Sequence, residues 1–125
     1  MDSSWPTFWQ GNTEIDCGDD GRFMAVVTTE SQPTGAHART FELIRSRWAE
    51  IWPEFKRIIT ELIQSYGREM PEWSTVRSVY VCVPDEPIAE DAEWSVGVVF
   101  SRDETLWSLP YHGWSACPQQ AQAIY

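Results

Sequence analysis

The segment from Phe41 to Tyr66 carries an apolar residue at every third or fourth position, and these positions stay in phase over about seven helical turns. At 100° per residue they fall within an arc of roughly 140°, which is the apolar stripe of an amphipathic helix. A helix of this length needs a broad apolar surface to pack on. The stripe consists of Phe41, Ile44, Trp48, Ile51, Trp52, Phe55, Ile58, Ile59, Leu62, Ile63 and Tyr66.

The ends of this helix and one internal irregularity also follow from the sequence. The helix is expected to begin near residues 36–40 and to stop at Gly67, which suits the left-handed conformation that ends many helices. Pro53 lies inside it, where proline removes one helical hydrogen bond and costs ~3 kcal/mol. Because the apolar phase continues across Pro53, we predict one long kinked helix and not two helices.

Alternating apolar residues predict strands on both sides of the helix. A short strand at 12–16 and a second at 22–29 flank an Asp-Gly turn, and a strong strand follows at 76–83. The segments 94–100 and 105–109 predict a hairpin. The sequence therefore predicts a two-layer α+β fold, in which one long kinked helix packs on an antiparallel sheet of four or five strands.

The two faces of this sheet are predicted to differ in what covers them. The face toward the helix is expected to carry Phe23, Ala25, Val27, Val79, Val81, Val83, Trp94, Val96, Val98 and Phe100. The opposite face would carry Met24, Val26, Tyr80, Cys82, Val99 and Leu106, which is more apolar than a solvent-exposed face should be. Either the chain's own terminal segments cover it, or another molecule does, as a homodimer partner or a different protein.

With 125 residues, the chain has the length of one domain, expected to span 1–125. Residues 1–12 are expected to form an irregular aromatic arm and residues 110–125 an irregular tail. The N-terminus lacks the pattern of a signal peptide, and no apolar run is long enough to span a membrane. Three widely spaced cysteines suit a reducing compartment, so we expect a cytoplasmic protein.

The net charge of −10 is concentrated in two segments. Residues 1–30 have a net charge of −5 and residues 85–104 a net charge of −6, whereas the helical region is nearly neutral. Such an acidic balance argues against binding nucleic acid or anionic membranes and favours a cationic partner.

The residues that could carry chemistry form no recognised catalytic or metal motif. No zinc spacing or phosphate-binding loop occurs, and the calcium-loop pattern fails at Gly18 and Val27, so we expect neither a metal nor another cofactor. A catalytic pair of Cys17 or Cys117 with His37 or His112 remains an alternative. We expect a protein that is not an enzyme.

The chain resembles a group of small bacterial cytoplasmic proteins, many of unknown function and some acting as immunity proteins of toxin systems. The resemblance covers roughly residues 22–115. It is carried by Pro33-Thr34 before the helix, the helix end at Tyr66-Gly67, the strand Trp94-x-Val96-x-Val98-x-Phe100, and Gly113-Trp114 after Trp107. The group has no catalytic residues to carry over.

These observations favour a non-enzymatic protein-interaction domain, of the immunity type, that neutralises a basic partner through an acidic and aromatic surface. The candidate binding residues are the acids Asp85, Glu86, Glu90, Asp91 and Glu93 and the anchors Trp107, Tyr111 and Trp114. The alternative is a small-molecule-binding domain with a pocket between the sheet and the aromatic tail.

Overall fold

The fold is built on one mixed β-sheet with two helices on one of its faces. It is taken from a computed structural model, which describes residues 11–31, 34–85, 88 and 92–125. The strands are β1 (Gly11–Asp16), β2 (Arg22–Thr29), β3 (Val76–Val83), β4 (Glu93–Phe100), β5 (Leu106–His112), β6 (Ser115–Ala116) and β7 (Gln122–Ile124). The helices are α1 (Gly35–Ser46) and α2 (Trp48–Ser65), and short 3-10 turns occupy Gly18–Asp20, Trp73–Thr75 and Pro118–Gln120.

The sheet corrects the predicted antiparallel sheet of four or five strands. It has seven strands in the order β1-β2-β3-β4-β5-β6, with β7 also paired to β5. The pair β2–β3 is parallel, with Val27 opposite Val81, while the other pairs are antiparallel. The β2–β3 pair is parallel because the chain crosses one face of the sheet through α1 and α2 before it enters β3. Such a crossover brings the next strand back in the same direction.

The single helix kinked at Pro53 is also wrong, because the break lies at Arg47. Here the Ser46 hydroxyl donates to the Leu43 carbonyl at 2.6 Å, and the Arg47 N–H donates to the Ile44 carbonyl three residues back at 3.1 Å. These tighter bonds end α1, and α2 starts at the next residue. Pro53 remains inside α2.

The predicted C-terminal stop of the helix is confirmed. Gly67 has φ +70°, and its N–H donates to the Gln64 carbonyl at 2.9 Å, while the Arg68 N–H donates to Ile63 at 3.3 Å. The helix thus ends on the left-handed glycine that the sequence indicated.

The predicted inner face of the sheet is confirmed as the floor of the core. All ten residues expected there are buried, and they form one cluster with the apolar stripe of α1 and α2. The predicted β4–β5 hairpin is likewise confirmed, with Val98 opposite Trp107. Strand β5 adds Trp107, Leu109 and Tyr111 to the same cluster.

The opposite side of the sheet, which we call the outer face, carries Met24, Val26, Tyr80, Cys82, Val99, Leu106 and Ile124. None of these belongs to the core cluster under the helices. Within the described residues, no helix packs on this side. Met24 and Ile124 are 46% and 42% exposed, whereas Val26 and Val99 are buried.

The segment 110–125, expected to be an irregular tail, is largely paired with the sheet. It contains the end of β5 and both β6 and β7, because the backbone groups along the free edge of β5 bond to these short strands. At the other end, residues 11 and 12 begin β1, and the remainder of the predicted arm, residues 1–10, lies outside the described residues. In the described ranges, neither helix combines the length and apolar character that a membrane crossing requires.

Candidate functional site

A cleft lies where the β1–β2 turn meets the junction of α1 and α2. It has a volume of about 480 Å³, and we call it the junction cleft. Asp16, Asp19 and Asp20 form its acidic wall, Arg45 and Lys56 stand on the helical side, and Trp48, Trp52 and Pro53 line its base.

Both indoles at the base of the cleft are held in place by hydrogen bonds to the turn. The Trp52 Nε1–H donates to Asp20 Oδ2 at 2.9 Å, and the Trp48 Nε1–H donates to the Cys17 sulfur at 3.3 Å. The two rings are stacked with centroids 5.7 Å apart. Trp48 and Trp52, four residues apart on α2, therefore hold the turn against the helix and make the base of the cleft rigid.

Asp20 is the charged centre of this arrangement. Lys56 Nζ donates to Asp20 Oδ2 at 2.6 Å. Although its burial acts to raise the pKa of Asp20, the hydrogen bonds from Lys56 and Trp52 outweigh this and lower the pKa below the usual value. Asp20 is therefore neutralised by its own chain.

The other two aspartates leave the rim of the cleft negative. Asp16 and Asp19 are exposed and form no salt bridge with any residue in the described ranges. Arg45 is 3.3 Å from Glu42, so its charge is also partly balanced. With Lys56 paired to Asp20, the remaining charge at the rim comes from Asp16 and Asp19.

Cys17 also lines the cleft but is a poor nucleophile. It is 4% exposed, and burial raises the pKa of its thiol to about 11, although the Trp48 N–H acts in the opposite direction. A thiol with such a pKa is protonated at neutral pH. Its role is to accept the indole hydrogen bond.

The predicted aromatic anchors lie mainly in the core. Trp107 and Tyr111 are 1% and 2% exposed, on the inner face of β5, and this corrects their assignment to an exposed surface. The physical reason is the register, because their partners Val98 and Trp94 also face the helices. Trp114 is half-buried, with its ring edge against Trp94.

The predicted acidic residues of the 85–93 segment are not brought together as one described surface. Asp85 Oδ1 accepts a hydrogen bond from the Ser31 hydroxyl at 2.6 Å and one from His37 Nε2 at 3.0 Å, and the first of these contacts contributes most to lowering its pKa. Glu93 is exposed at the start of β4, opposite His112. Glu86, Glu90 and Asp91 lie outside the described residues.

His37, a candidate catalytic base, is used to cap α1. Its Nδ1 accepts the Thr34 N–H at 2.9 Å, so the proton resides on Nε2, which points at Asp85. The ring is 3% exposed. His37 and Cys17 thus have separate structural partners.

His112 and Cys117 come together at a second cavity, of about 300 Å³, between β5 and the following 3-10 turn. It is lined by Glu93, Pro110, Tyr111, His112, Cys117 and Gln120. No hydrogen bond joins the Cys117 sulfur to His112; the sulfur lies 4.0 Å from the Ser115 carbonyl. Among the residues described, no three or more His, Cys, Asp and Glu side chains converge in a way that could hold a metal ion.

Comparison of this chain with family models, with curated proteins and with solved structures gives no match. The site must therefore be judged on its own chemistry.

The junction cleft itself was missed by the sequence analysis. Its parts are separated by more than 30 positions, since Cys17 bonds Trp48 and Asp20 bonds Lys56. A usable signal was present in two tryptophans spaced by four residues on the helix and, far from them in the sequence, a turn with three aspartates.

Proposed function

We propose that this protein is a non-enzymatic domain that binds a basic segment of another protein, and that the junction cleft receives it. One observation carries the proposal: a cleft of about 480 Å³ has two rim carboxylates, Asp16 and Asp19, that no described basic residue neutralises. A lysine or arginine side chain of a partner would replace the missing countercharge.

The base of the cleft keeps the rim in position for such a ligand. Trp48 and Trp52 are each 3% exposed, and their indole N–H groups fix the turn through Cys17 and Asp20. The net charge of −10 would accelerate the approach of a basic partner. The immunity-type role belongs to this proposal, with a basic toxin as the partner.

The test uses a fluorescently labelled octa-arginine peptide as the probe. Fluorescence anisotropy at low salt should give a measurable Kd, and the D16N/D19N double variant should weaken it about tenfold, which corresponds to ~1.4 kcal/mol. The matched control is E69Q/E104Q, which removes the same charge at exposed positions outside the cleft. Equal weakening in both variants would show only a general charge effect and would overturn the cleft as the site.

The natural partner can be sought with the same pair of variants. The tagged protein is incubated with native lysate at low salt and eluted with a salt gradient. A stoichiometric basic protein that is retained by the wild type and by E69Q/E104Q, but lost with D16N/D19N, is the expected result.

A second candidate function is small-molecule binding at the cavity of about 300 Å³ beside β5. The observation that favours it is its position, since it lies between the sheet and the C-terminal segment. Its lining combines the polar side chains Glu93, His112 and Gln120 with Pro110, Tyr111 and Cys117, so it suits a small ligand that has both polar and apolar groups. A thermal-shift screen with wild type and H112A would detect a ligand whose stabilising effect depends on this cavity.

A further inference from the structure

Strand β1 is an edge strand of the sheet. It stands first in the strand order, and among the described residues it pairs with β2 alone. The other side of the sheet differs, because the short strands β6 and β7 pair with β5 there. An edge strand presents backbone N–H and C=O groups that can bond to a strand of another chain. The sheet can therefore be extended at β1.

The register of the β1–β2 pair shows which backbone groups point to the free side of β1. The Cys17 N–H donates to the Gly21 carbonyl at 2.9 Å, immediately after the last residue of β1. Backbone groups alternate in direction along an antiparallel strand, so those of Ile15 point to β2 and those of Glu14 and Asp16 point away from it. Glu14 and Asp16 thus each direct one N–H and one C=O to the free side.

The side chains on this strand determine which partner strand it can accept. Glu14 and Asp16 are exposed, whereas Ile15 between them is buried in the core. Side chains of directly opposite residues on neighbouring strands lie on the same face, so an added strand would place its own side chains beside both carboxylates. The edge therefore favours a strand with basic residues at alternate positions.

The chain's own basic residues leave most of this negative charge available. Asp16 forms no salt bridge with any residue in the described ranges. Arg22 Nη1 lies 3.6 Å from Glu14 Oε1, but the two side chains are 68% and 67% exposed, and ion pairs between exposed side chains are weak. A basic side chain of an added strand can therefore still gain from both carboxylates.

The same carboxylates disfavour a second copy of this chain as the added strand. Two β1 edges that paired with each other would bring Glu14 and Asp16 of one copy opposite the acidic side chains of the other. Like charges at directly opposite positions are destabilising, and charged residues on an edge strand protect a protein from self-association. Charge complementarity thus selects a basic segment of a different protein.

The edge strand leads directly into the junction cleft. Asp16 is the last residue of β1 and also lines the cleft, and the turn that follows supplies Asp19. A basic strand paired with β1 would therefore have one end at the rim of the cleft.

We propose that the basic segment binds as an antiparallel β-strand added to β1, with basic side chains beside Glu14 and Asp16 and one end at the junction cleft. This inference rests on the proposed function and adds to it the mode of recognition. Backbone hydrogen bonds supply affinity in such a complex, and the alternate basic side chains supply selectivity. The antiparallel direction is the more stable pairing per residue.

The experiment uses a fluorescently labelled octapeptide of alternating arginine and threonine. It is prepared unmodified, with N-methyl groups on every arginine, and with N-methyl groups on every threonine, so that the charge is the same in all three. In the proposed complex the arginines lie opposite Glu14 and Asp16 and direct their N–H groups to β1. Methylation of the arginines should raise the Kd from fluorescence anisotropy about tenfold, whereas methylation of the threonines should change it less than about twofold.

Amide hydrogen exchange locates the added strand on the protein. The N–H groups of Glu14 and Asp16 point to the free side of β1, so the unmodified peptide should slow their exchange about tenfold or more. Ile15 is the internal control, because its N–H points to β2 and its exchange should change much less.

Several outcomes would overturn the proposal. An equal Kd for the two methylated peptides, or unchanged exchange at Glu14, would exclude strand addition. A larger loss from methylated threonines would indicate a parallel strand and would overturn the proposed direction. If octa-arginine binding still depends on Asp16 and Asp19 in these cases, the proposed function stands and only its mode is wrong. If octa-arginine does not bind at all, the proposed function itself fails.

Discussion

The guanidinium of Arg47 lies over the ring of Trp114, 4.3 Å from its centroid. Arg47 is the non-helical residue between α1 and α2, and Trp114 lies just after β5, so this contact joins the helix junction to the C-terminal part of the sheet. Trp114 in turn rests against Trp94, whose indole N–H donates to the Gly113 carbonyl at 2.6 Å. The break between the helices is therefore anchored to the sheet.

This contact should be measurable as a coupling between the two side chains. A double-mutant cycle with R47A and W114A is expected to give a coupling free energy of about 0.5–1 kcal/mol, the usual range of an exposed cation–π pair. Urea denaturation of the four proteins provides the values. The control cycle pairs R57A with W114A, since Arg57 contacts Glu61 instead, and it should give no coupling.

The ion pair between Asp20 and Lys56 makes the free energy of unfolding depend on pH in the acidic range. The pKa of Asp20 in the folded state is below the ordinary value of 3.8, so its stabilising contribution is fully present above that value and is lost as pH falls toward the folded-state pKa. We expect D20N to lower the unfolding free energy by about 1–2 kcal/mol at pH 7, because it breaks the charge-assisted bond to Lys56. The difference in unfolding free energy between wild type and D20N should become smaller below pH 4.

The neighbouring carboxylate supplies the control for this pH dependence. Asp19 is exposed on the same turn and has no salt bridge with a described residue. D19N is therefore expected to leave the unfolding free energy and its pH profile unchanged. A D20N profile that runs parallel to that of wild type down to pH 2 would contradict the role given to Asp20.

Tyr111 offers a site where a stabilising substitution is expected. Its hydroxyl is buried and has no hydrogen-bond partner among the described residues, and burial together with Glu54 raises its pKa. Removing a buried hydroxyl without a partner avoids its desolvation penalty, so Y111F should raise the unfolding free energy by about 1 kcal/mol. Thermal denaturation of Y111F and wild type provides the comparison. The control is Y66F, which changes a tyrosine that is 47% exposed and should leave the unfolding free energy unchanged.

Gly97 lets Leu106 lie close to the backbone of β4. A Cβ at Gly97 would stand 2.8 Å from Leu106 Cδ1, so G97A forces that side chain to move on the outer face. We expect G97A to destabilise the protein by about 1 kcal/mol. In an L106A background, where that atom is gone, the same change should cost less. An unchanged cost would point instead to the Trp107 carbonyl, 3.3 Å from the same position.

The local periodicities of the sequence predicted which residues are buried, and the structure agrees for the inner strand positions and for most of the helical stripe; Leu62 is only partly buried and Tyr66 is 47% exposed. Residues such as Ile44 and Phe55 depend only on spacing along one element, which is readable from one chain. The same reasoning placed the β4–β5 hairpin and the end of α2 at Gly67. It was harder to predict which strands are neighbours, because β2 pairs with β3 and the whole helical segment lies between them in the sequence.

For the candidate site, too, contacts between distant elements could not be predicted from local patterns. Trp107 was assigned to the surface although it lies in the second strand of the predicted hairpin, and pairing it with Val98 would have shown that it faces the helices. The junction cleft depends on contacts such as Trp52 to Asp20 that no local pattern encodes. Propensity and spacing describe elements, whereas sites arise where distant elements meet.

The parallel pair β2–β3 has a consequence for the order in which the chain assembles. The β1–β2 and β4–β5 hairpins close short loops and can form early, but β2 reaches β3 only after residues 30–75 have been folded back. The entropy lost in closing that long loop is offset only when both helices pack on the sheet. Refolding should therefore be limited by the docking of the helices, and a variant that weakens the α2 stripe should slow folding more than one that weakens either hairpin turn.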